Sequence, residues 1–529
     1  MDTKALRQKV LDLAIRGKLV PQDPNDEPAS VLLERIRQQK QQMVKDGKLK
    51  AKDIKNDTII FVGEDNLHYE KFADGSVKCI EDEIPFDLPD GWAWARVNQI
   101  YNFIDYRGAT PNKISSGVPL ITAKNVKSGY IDYTIDEYIS EEEYWDRQQR
   151  GTSRLGDILF TTEAPLGNAA IADIENFSAG QRLITFQHYG SCVLNNHTFL
   201  YFILSDYFQG QLTTRKTGST VAGIKAAILK TLLLPVPPIV EQEKIGAKCK
   251  NLLALIDEIA TSRQDIISVI SKAKAKILDL AIRGQLVPQN PDDEPASVLL
   301  ERIRAEKEKL IKQGKIKRDK KESVIFRGED NSYYEKIGPE IRCIDSEIPF
   351  EIPDGWTYER LGNICSVARG GSPRPIENYL TNDKNGLNWI KIGDTEQGGK
   401  YIFSTKEKIC PDGLSKTRYV HCGDFLLTNS MSFGRPYILK TDGCIHDGWL
   451  VIGDVETVFY QDFLYYMLSS PAMYNALSSL AVGSTVKNLK SDSVKSLIVP
   501  IPPIGEQQLI ADRVEMLFTV TAQIEKSLS

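Results

Sequence analysis

The chain has 529 residues, 41% of them apolar and 26% charged, with a formal net charge of −5. That balance describes a folded soluble protein with material for several cores. No apolar run is long enough to span a bilayer and no signal-peptide pattern opens the chain, so a cytoplasmic protein is expected. The eight cysteines form no CxxC pair and the five histidines no ligand-spaced cluster, which argues against a disulfide framework and leaves the metal expectation at none.

In chain order, the first informative block is LDLAIRGKLVPQDPNDEPASVLLERIR at Leu11–Arg37. It returns at Leu278–Arg304 with changes only at Lys18/Gln285, Asp23/Asn290 and Asn25/Asp292, which is duplication. Within each copy a helix is predicted to begin at Pro28 or Pro295, a good first-turn residue with acidic neighbours before it. Lysine-rich stretches follow, Lys40–Lys55 and Lys307–Lys321, and read as solvated charged helix ends or as basic surface. Two strand-like runs carrying Gly-Glu-Asp-Asn come next, then LPDGW and IPDGW, where two inserts begin.

The inserts, Asn98–Thr217 and Gly362–Val482, share little beyond isolated glycines and a GD-[IF]-L turn and strand. Their short β-branched and aromatic runs between Gly, Asn, Asp and Pro predict α+β modules. Each opens on an Arg-Gly loop, with Arg107 and Thr110 in one and Arg369, Ser372 and Arg374 in the other. Arginine beside glycine, a hydroxyl and a rigid proline suits a backbone cradle for phosphate, with the guanidinium free for a base edge. Lys113, Lys124, Asn125, Asn168, Arg215 and Lys216 complete the DNA-binding candidates of the first insert, and Lys391, Asn429 and Arg435 those of the second. Both inserts end in GST, adding Ser219, Thr220, Ser484, Thr485 and Lys487; the motif suits phosphate contacts or equally a helix N-cap.

After each insert, PPIVEQ or PPIGEQ leads into a helical stretch. Ile245, Leu252, Ile259, Ile266, Ala273 and Leu280 fall seven apart, with Ile256, Ile270 and Ile277 on a second row, a seam weakened at Cys249 and Arg263. A helix from about Val240 to Ile282 would be about 60 Å long at 1.5 Å per residue. The stripe serves first as core and spacer. Ile245, Leu252, Ile256, Ile259, Ile510 and Leu517 are the candidates for a second task, docking a partner subunit. Joining tail to head would restore the central unit, so the termini are expected to lie together.

Enzyme signatures are missing: there is no [DN]-P-P-[YFW] motif, no GxGxxG and no GxxxxGK[ST], and the catalytic residues expected are none. The paired [LI]-P-D-G-W segments, the paired GST…P-P-x-x-EQ segments, the GD-[IF]-L turn and the repeated helical blocks together resemble the specificity subunit of type I restriction-modification systems. That resemblance implies two target recognition domains on conserved spacers, and no catalytic activity or cofactor in the chain itself. It implies double-stranded DNA, two methyltransferase subunits with S-adenosylmethionine, and motor-nuclease subunits with ATP and Mg2+ as partners.

The expected fold is α+β, with two target recognition domains joined by long antiparallel coiled-coil helices and pseudo-two-fold symmetry. The segments are 1–90 for the first spacer and junction, 91–238 for the first recognition domain, 239–353 for the central spacer, 354–502 for the second recognition domain and 503–529 for the closing helix. The function expected is recognition of an asymmetric bipartite DNA target, with half-sites centred about 10 bp apart. The competing reading is a protein-interaction scaffold with two heads on a stalk, which the acidic balance fits. Two accounts reconcile DNA binding with that balance: basic groups gathered in the insert clefts, or a DNA clamp completed by the methyltransferase.

Overall fold

The computed structural model describes residues 2–106, 110–217, 222–318, 322–396, 398–429, 433–481 and 488–528. The chain divides into two compact units, Met1–Arg263 and Gln264–Ser529. The boundary falls inside the central segment, because each half of its long helix packs with a different end of the chain.

The first unit opens on helix α1 (Thr3–Ile15), where the Asp2 carboxylate accepts the backbone N–H groups of Lys4 and Ala5 at 3.0 Å. Helix α2 (Ala29–Lys45) starts one residue beyond Pro28, and its first N–H donates to Gly91 O at 2.8 Å. Lys40 corrects the picture of a wholly solvated lysine stretch. It is 1% exposed, with its ammonium on Asp57 at 2.6 Å and on Asn98 O at 3.1 Å. A three-stranded antiparallel sheet follows, Ile59–Val62, His68–Lys71 and Val77–Cys79.

The insert of this unit enters on Ala93–Arg96 and leaves on Leu233–Val236, and those two strands pair antiparallel. Between them lies a four-stranded antiparallel sheet in the order Asn102–Asp105, Leu183–Gln187, Ile158–Thr161, Ala169–Ile171. A smaller sheet sets Ser178–Ala179 parallel to Val118–Ile121, with Tyr138–Ile139 on the other side. Two short helices, Asn196–Ile203 and Asp206–Arg215, cover the larger sheet and bury Phe199, Phe202 and Phe208. Helix α3 (Ile239–Ile282) then begins, 44 residues or about 66 Å long.

The second unit repeats these parts. Its sheet is Ser323–Arg327, Tyr333–Ile337 and Glu340–Cys343, preceded by helix α4 (Ala296–Lys312) and followed by entering and leaving strands Thr357–Arg360 and Ile498–Ile501. Its insert has the same four-strand core, in the order Ser366–Arg369, Trp449–Gly453, Phe425–Thr428, Pro436–Leu439, and adds Tyr401–Ile402 at one edge. A second five-stranded sheet includes Leu387–Ile390 parallel to Gly443–Ile445. The inserts therefore differ in loops and added strands and share their core, which residue identity alone conceals. The unit closes on helix α5 (Ile504–Leu528).

The helical seam departs from the seven-residue row. Ile245, Cys249, Leu253 and Ile256 are buried in the first unit, and Ile270, Leu278, Ala281 and Ile282 in the second, whereas Ile259 and Ile266 are each 40% exposed. A straight α-helix drifts by about 20° per heptad, so an uncoiled helix carries such a row off its buried face. Cys249, expected as a weak point, is central. Among the described residues, no helix is long and apolar enough to cross a membrane.

Candidate nucleic-acid interface

The repeated motifs meet in space. The Trp92 indole N–H donates to Glu241 Oε2 at 2.8 Å, and the Gln22 amide donates to the other oxygen at 3.1 Å. The second unit makes the same contacts, with Trp356 and Gln289 on Glu506 at 2.7 and 2.5 Å. The next residue closes the joint. Gln242 donates to Pro237 O and accepts from Asn195 N, and Gln507 donates to Pro502 O and accepts from Tyr460 N. Glu241, Gln242, Glu506 and Gln507 are all buried. Buried polar groups need partners, so the Trp of P-D-G-W, the Gln of L-V-P-Q and the EQ after P-P belong to one clamp. Gly17 and Gly284 complete it: at φ +64 and +65, a Cβ would lie 2.4 Å from Pro89 or Pro353. Burial pushes the Glu241 and Glu506 carboxyls up, against the indole and amide donors.

A second shared joint ties each insert to its three-stranded sheet. Arg96 pairs with Glu70 at 2.7 Å and Glu83 at 2.8 Å, and Arg360 with Glu335 and Glu347 at 2.7 Å each. Each guanidinium also donates to a carbonyl of the returning chain, Thr231 O or Ser496 O. Both inserts therefore stand on the same two joints.

In the second insert, four candidates converge on one residue that sequence reasoning missed. The Ser372 hydroxyl donates to Asp447 Oδ1 at 2.9 Å, and the Arg374 guanidinium to Oδ2 at 3.2 Å. Arg369 Nε and Asn429 Nδ2 both donate to the Asp447 backbone carbonyl, at 3.0 and 2.8 Å. His446 Nε2 lies 3.1 Å from Oδ1, and Arg418 Nε donates to Arg369 O at 3.2 Å. The loop needs its glycine, since a Cβ on Gly370 would lie 2.3 Å from His446 O. Burial pushes the His446 imidazole down and Lys391, Arg374 and Arg369 push the same way, against Asp447. Burial alone would raise the Asp447 carboxyl, but the Ser372 hydroxyl, His446, Arg374 and Arg369 outweigh it and hold the group ionised.

The other candidates of this insert stand apart. Lys391 pairs with Glu407, and Arg435 is exposed beside Tyr437, Tyr465 and Tyr474 around an open cavity of about 620 Å3. Asn429 is itself fully buried, and its role is to hold the turn.

In the first insert, the Thr110 hydroxyl donates to Gln181 Oε1 at 3.0 Å. Lys113 and Lys124 come together on Glu137, at 2.7 and 3.9 Å. Asn125 is corrected: it is 1% exposed, accepts from the Thr122 N–H and hydroxyl and donates to Asp132 O and Ile135 O. Asn168 likewise gives its amide to Val126 O, so both asparagines shape turns. Arg215 lies 4.0 Å from Glu83 at a helix end and Lys216 is exposed. Arg182, missed in the sequence, sits on Glu163 at 3.1 Å. Arg107, Ser219, Thr220, Ser484, Thr485 and Lys487 lie outside the described residues.

Of the interface candidates, Ile245, Ile256 and Ile510 are buried in the cores of their own units and offer nothing to a partner. Leu252 and Leu517 are half-buried, and Ile259 is open. Among the described residues, no group of three or more His, Cys, Asp or Glu side chains is placed to hold a metal ion.

One clamp, used twice, presents two loop sets of different chemistry on a shared core. That defines a class of double-headed recognition proteins. Residues 89–267 and 353–529, more than half of the chain, match the type I restriction modification DNA specificity domain, and the chain belongs to that family. It is 26% identical over 595 residues to the specificity subunit of the Escherichia coli type I restriction enzyme EcoEI, spanning 99% of this chain and 90% of that protein. It is 31% identical over 421 residues to the EcoAI specificity subunit of Escherichia coli, over 69% of this chain and 63% of that one. A chain from a solved type I R-M system aligns over 84% of this chain and 94% of its own, at 18% identity and a TM-score of 0.53, a likeness of fold.

Proposed function

We propose that this chain reads an asymmetric, bipartite DNA target for a type I restriction-modification complex, one half-site per insert. The observation that carries the reading is the identical Trp–Glu–Gln clamp beneath two inserts whose loops differ. A shared mount with unlike faces suits two different half-sites. The gathering of Arg369, Arg374 and Arg418 around one loop supplies local positive charge to a chain whose net charge is −5. A scaffold without nucleic acid gives no reason for that gathering.

The chain itself supplies recognition and no catalysis. The proposed partners are two methyltransferase subunits, which bring S-adenosylmethionine and methylate adenine at N6, and motor-nuclease subunits, which bring ATP and Mg2+; the complex would act in the cytoplasm. Helix α3 and its neighbours act as the ruler that centres the half-sites about 10 bp apart. Weak, salt-dependent DNA binding by the chain alone and tight binding in the complex are expected.

The test is single-molecule sequencing of N6-methyladenine in a host carrying this chain and its methyltransferase, against a host without the chain. A new two-part motif that depends on the chain is expected. With an active methyltransferase, no chain-dependent motif would overturn the reading.

A further inference from the structure

Each insert carries one residue in the same position on the turn between its two sheets, Gln181 in the first and Asp447 in the second. Backbone pairing establishes the equivalence. Ile121 pairs with Ala179 and Ile390 with Ile445, two residues before each. Thr162 N donates to Arg182 O at 3.0 Å, and Asn429 N to Gly448 O at 2.9 Å, one residue after each. The side chains also receive the same contact: the hydroxyl of Thr110 on Gln181 at 3.0 Å, and the hydroxyl of Ser372 on Asp447 at 2.9 Å. Both hydroxyl residues stand third after the arginine of an Arg-Gly loop and just before a proline. The geometry is held constant and the chemistry is changed.

Asp447 can only accept, and it stands within reach of three potential cations, Arg369, Arg374 and His446. A carboxylate at that centre repels phosphate, so the cluster is not a backbone cradle. A base pair, by contrast, offers both signs. In the major groove, the N4 amine of cytosine donates to a carboxylate, and O6 and N7 of the paired guanine accept from a guanidinium. The Arg374 side chain is 80% exposed. An ion pair that open to water contributes little, so the two groups can part for a base pair at small cost. Gln181 has both a donor and an acceptor, and its amide N–H2 has no partner among the described residues. That is the complement of adenine N6 and N7.

We propose that Asp447 and Arg374 read one C·G pair in the half-site of the second insert, and that Gln181 reads an adenine in the half-site of the first. The proposal rests on the DNA-reading function above and adds where each insert discriminates.

The test uses the full chain assembled with its methyltransferase, acting on DNA libraries randomised in one half-site at a time and read by N6-methyladenine sequencing. Wild type is expected to require a C·G pair in one half-site and an adenine in the other, besides the adenine that is methylated. Asp447→Asn should relax or shift the preference at a single pair of one half-site by about tenfold, the equivalent of one good base contact. Gln181→Glu should act only in the other half-site. Arg374→Ala, at an open position, should relax the same pair as Asp447→Asn and decides the matter if that variant does not fold. A wild-type half-site without any C·G pair overturns the proposal. So does an unchanged preference in both Asp447→Asn and Arg374→Ala, or an even loss across all sequences with the complex intact. A wild type that yields no chain-dependent motif refutes the DNA-reading function itself, a distinct result.

Discussion

The Arg360 guanidinium donates to both oxygens of Glu335, at 2.7 and 2.8 Å, and this holds the carboxyl well below its ordinary 4.5, at about 2. A carboxyl lowered by folding stabilises the fold above its ordinary pKa, and that contribution fades as pH falls from about 4.5 towards 2. Arg360→Met would leave the buried Glu335 carboxylate with Arg342 as its remaining cation, at 2.6 Å; a loss of about 2 kcal/mol at neutral pH is expected in urea unfolding, shrinking below pH 4. Asp157 has the opposite sign. Burial raises it from 3.8 to about 6, although Arg154 N and Gln187 donate to it. The folded chain holds that proton more tightly, so stability is full below about 4 and declines as pH rises through 6. Asp157→Asn should therefore gain on wild type in thermal unfolding as pH rises from 4 to 7, by about 3 kcal/mol at most. A constant difference across that range would refute the assignment.

At the scale of elements, the long helix shows where a sequence pattern and a structure part. Ile245 and Ile259 stand on the same seven-residue row, yet Ile245 is fully buried and Ile259 is 40% exposed. Ile245→Ala should cost about 2–5 kcal/mol and Ile259→Ala under about 0.5 in chemical denaturation. Equal losses would restore the heptad seam. The cysteines sort in the same way. Burial pushes the thiols of Cys249 and Cys365 up to about 12 and that of Cys444 to about 11, whereas Cys79, Cys343 and Cys422 are exposed. A thiol reagent followed by peptide mass mapping should find the exposed three modified in the folded chain and the buried three only after unfolding. Both results depend on which side of an element faces the core. Along the long helix, spacing approximates that and residual drift over 44 residues decides it.

For the whole molecule, the duplication and its scaffold were legible because they are written in nearly identical letters, and the two inserts because the letters diverge between them. The clamp was legible only in part. The segments bearing Trp92 and Glu241 were both recognised as signatures, but nothing in the chain says that an indole and a carboxylate so far apart share a hydrogen bond. Asn125 and Asn168 were misread because an amide beside glycine or lysine serves a turn as readily as a ligand. Asp447 escaped because an acidic residue in a loop counts against DNA contact until its arginine neighbours are seen. The common core of the inserts escaped because strand pairing survives where side-chain identity does not.

The entering and leaving strands of each insert pair with one another, Ala93–Arg96 with Leu233–Val236 and Thr357–Arg360 with Ile498–Ile501. Each reading head thus enters and leaves its scaffold on one pair of adjacent strands, and the same Trp, Glu and Gln close the clamp beside both pairs. Inheritance can treat such a head as an exchangeable cassette: one crossover on either side of it replaces a half-site and leaves the rest of the machine untouched. A lineage under pressure to change what it recognises need not evolve a new protein, only trade an insert.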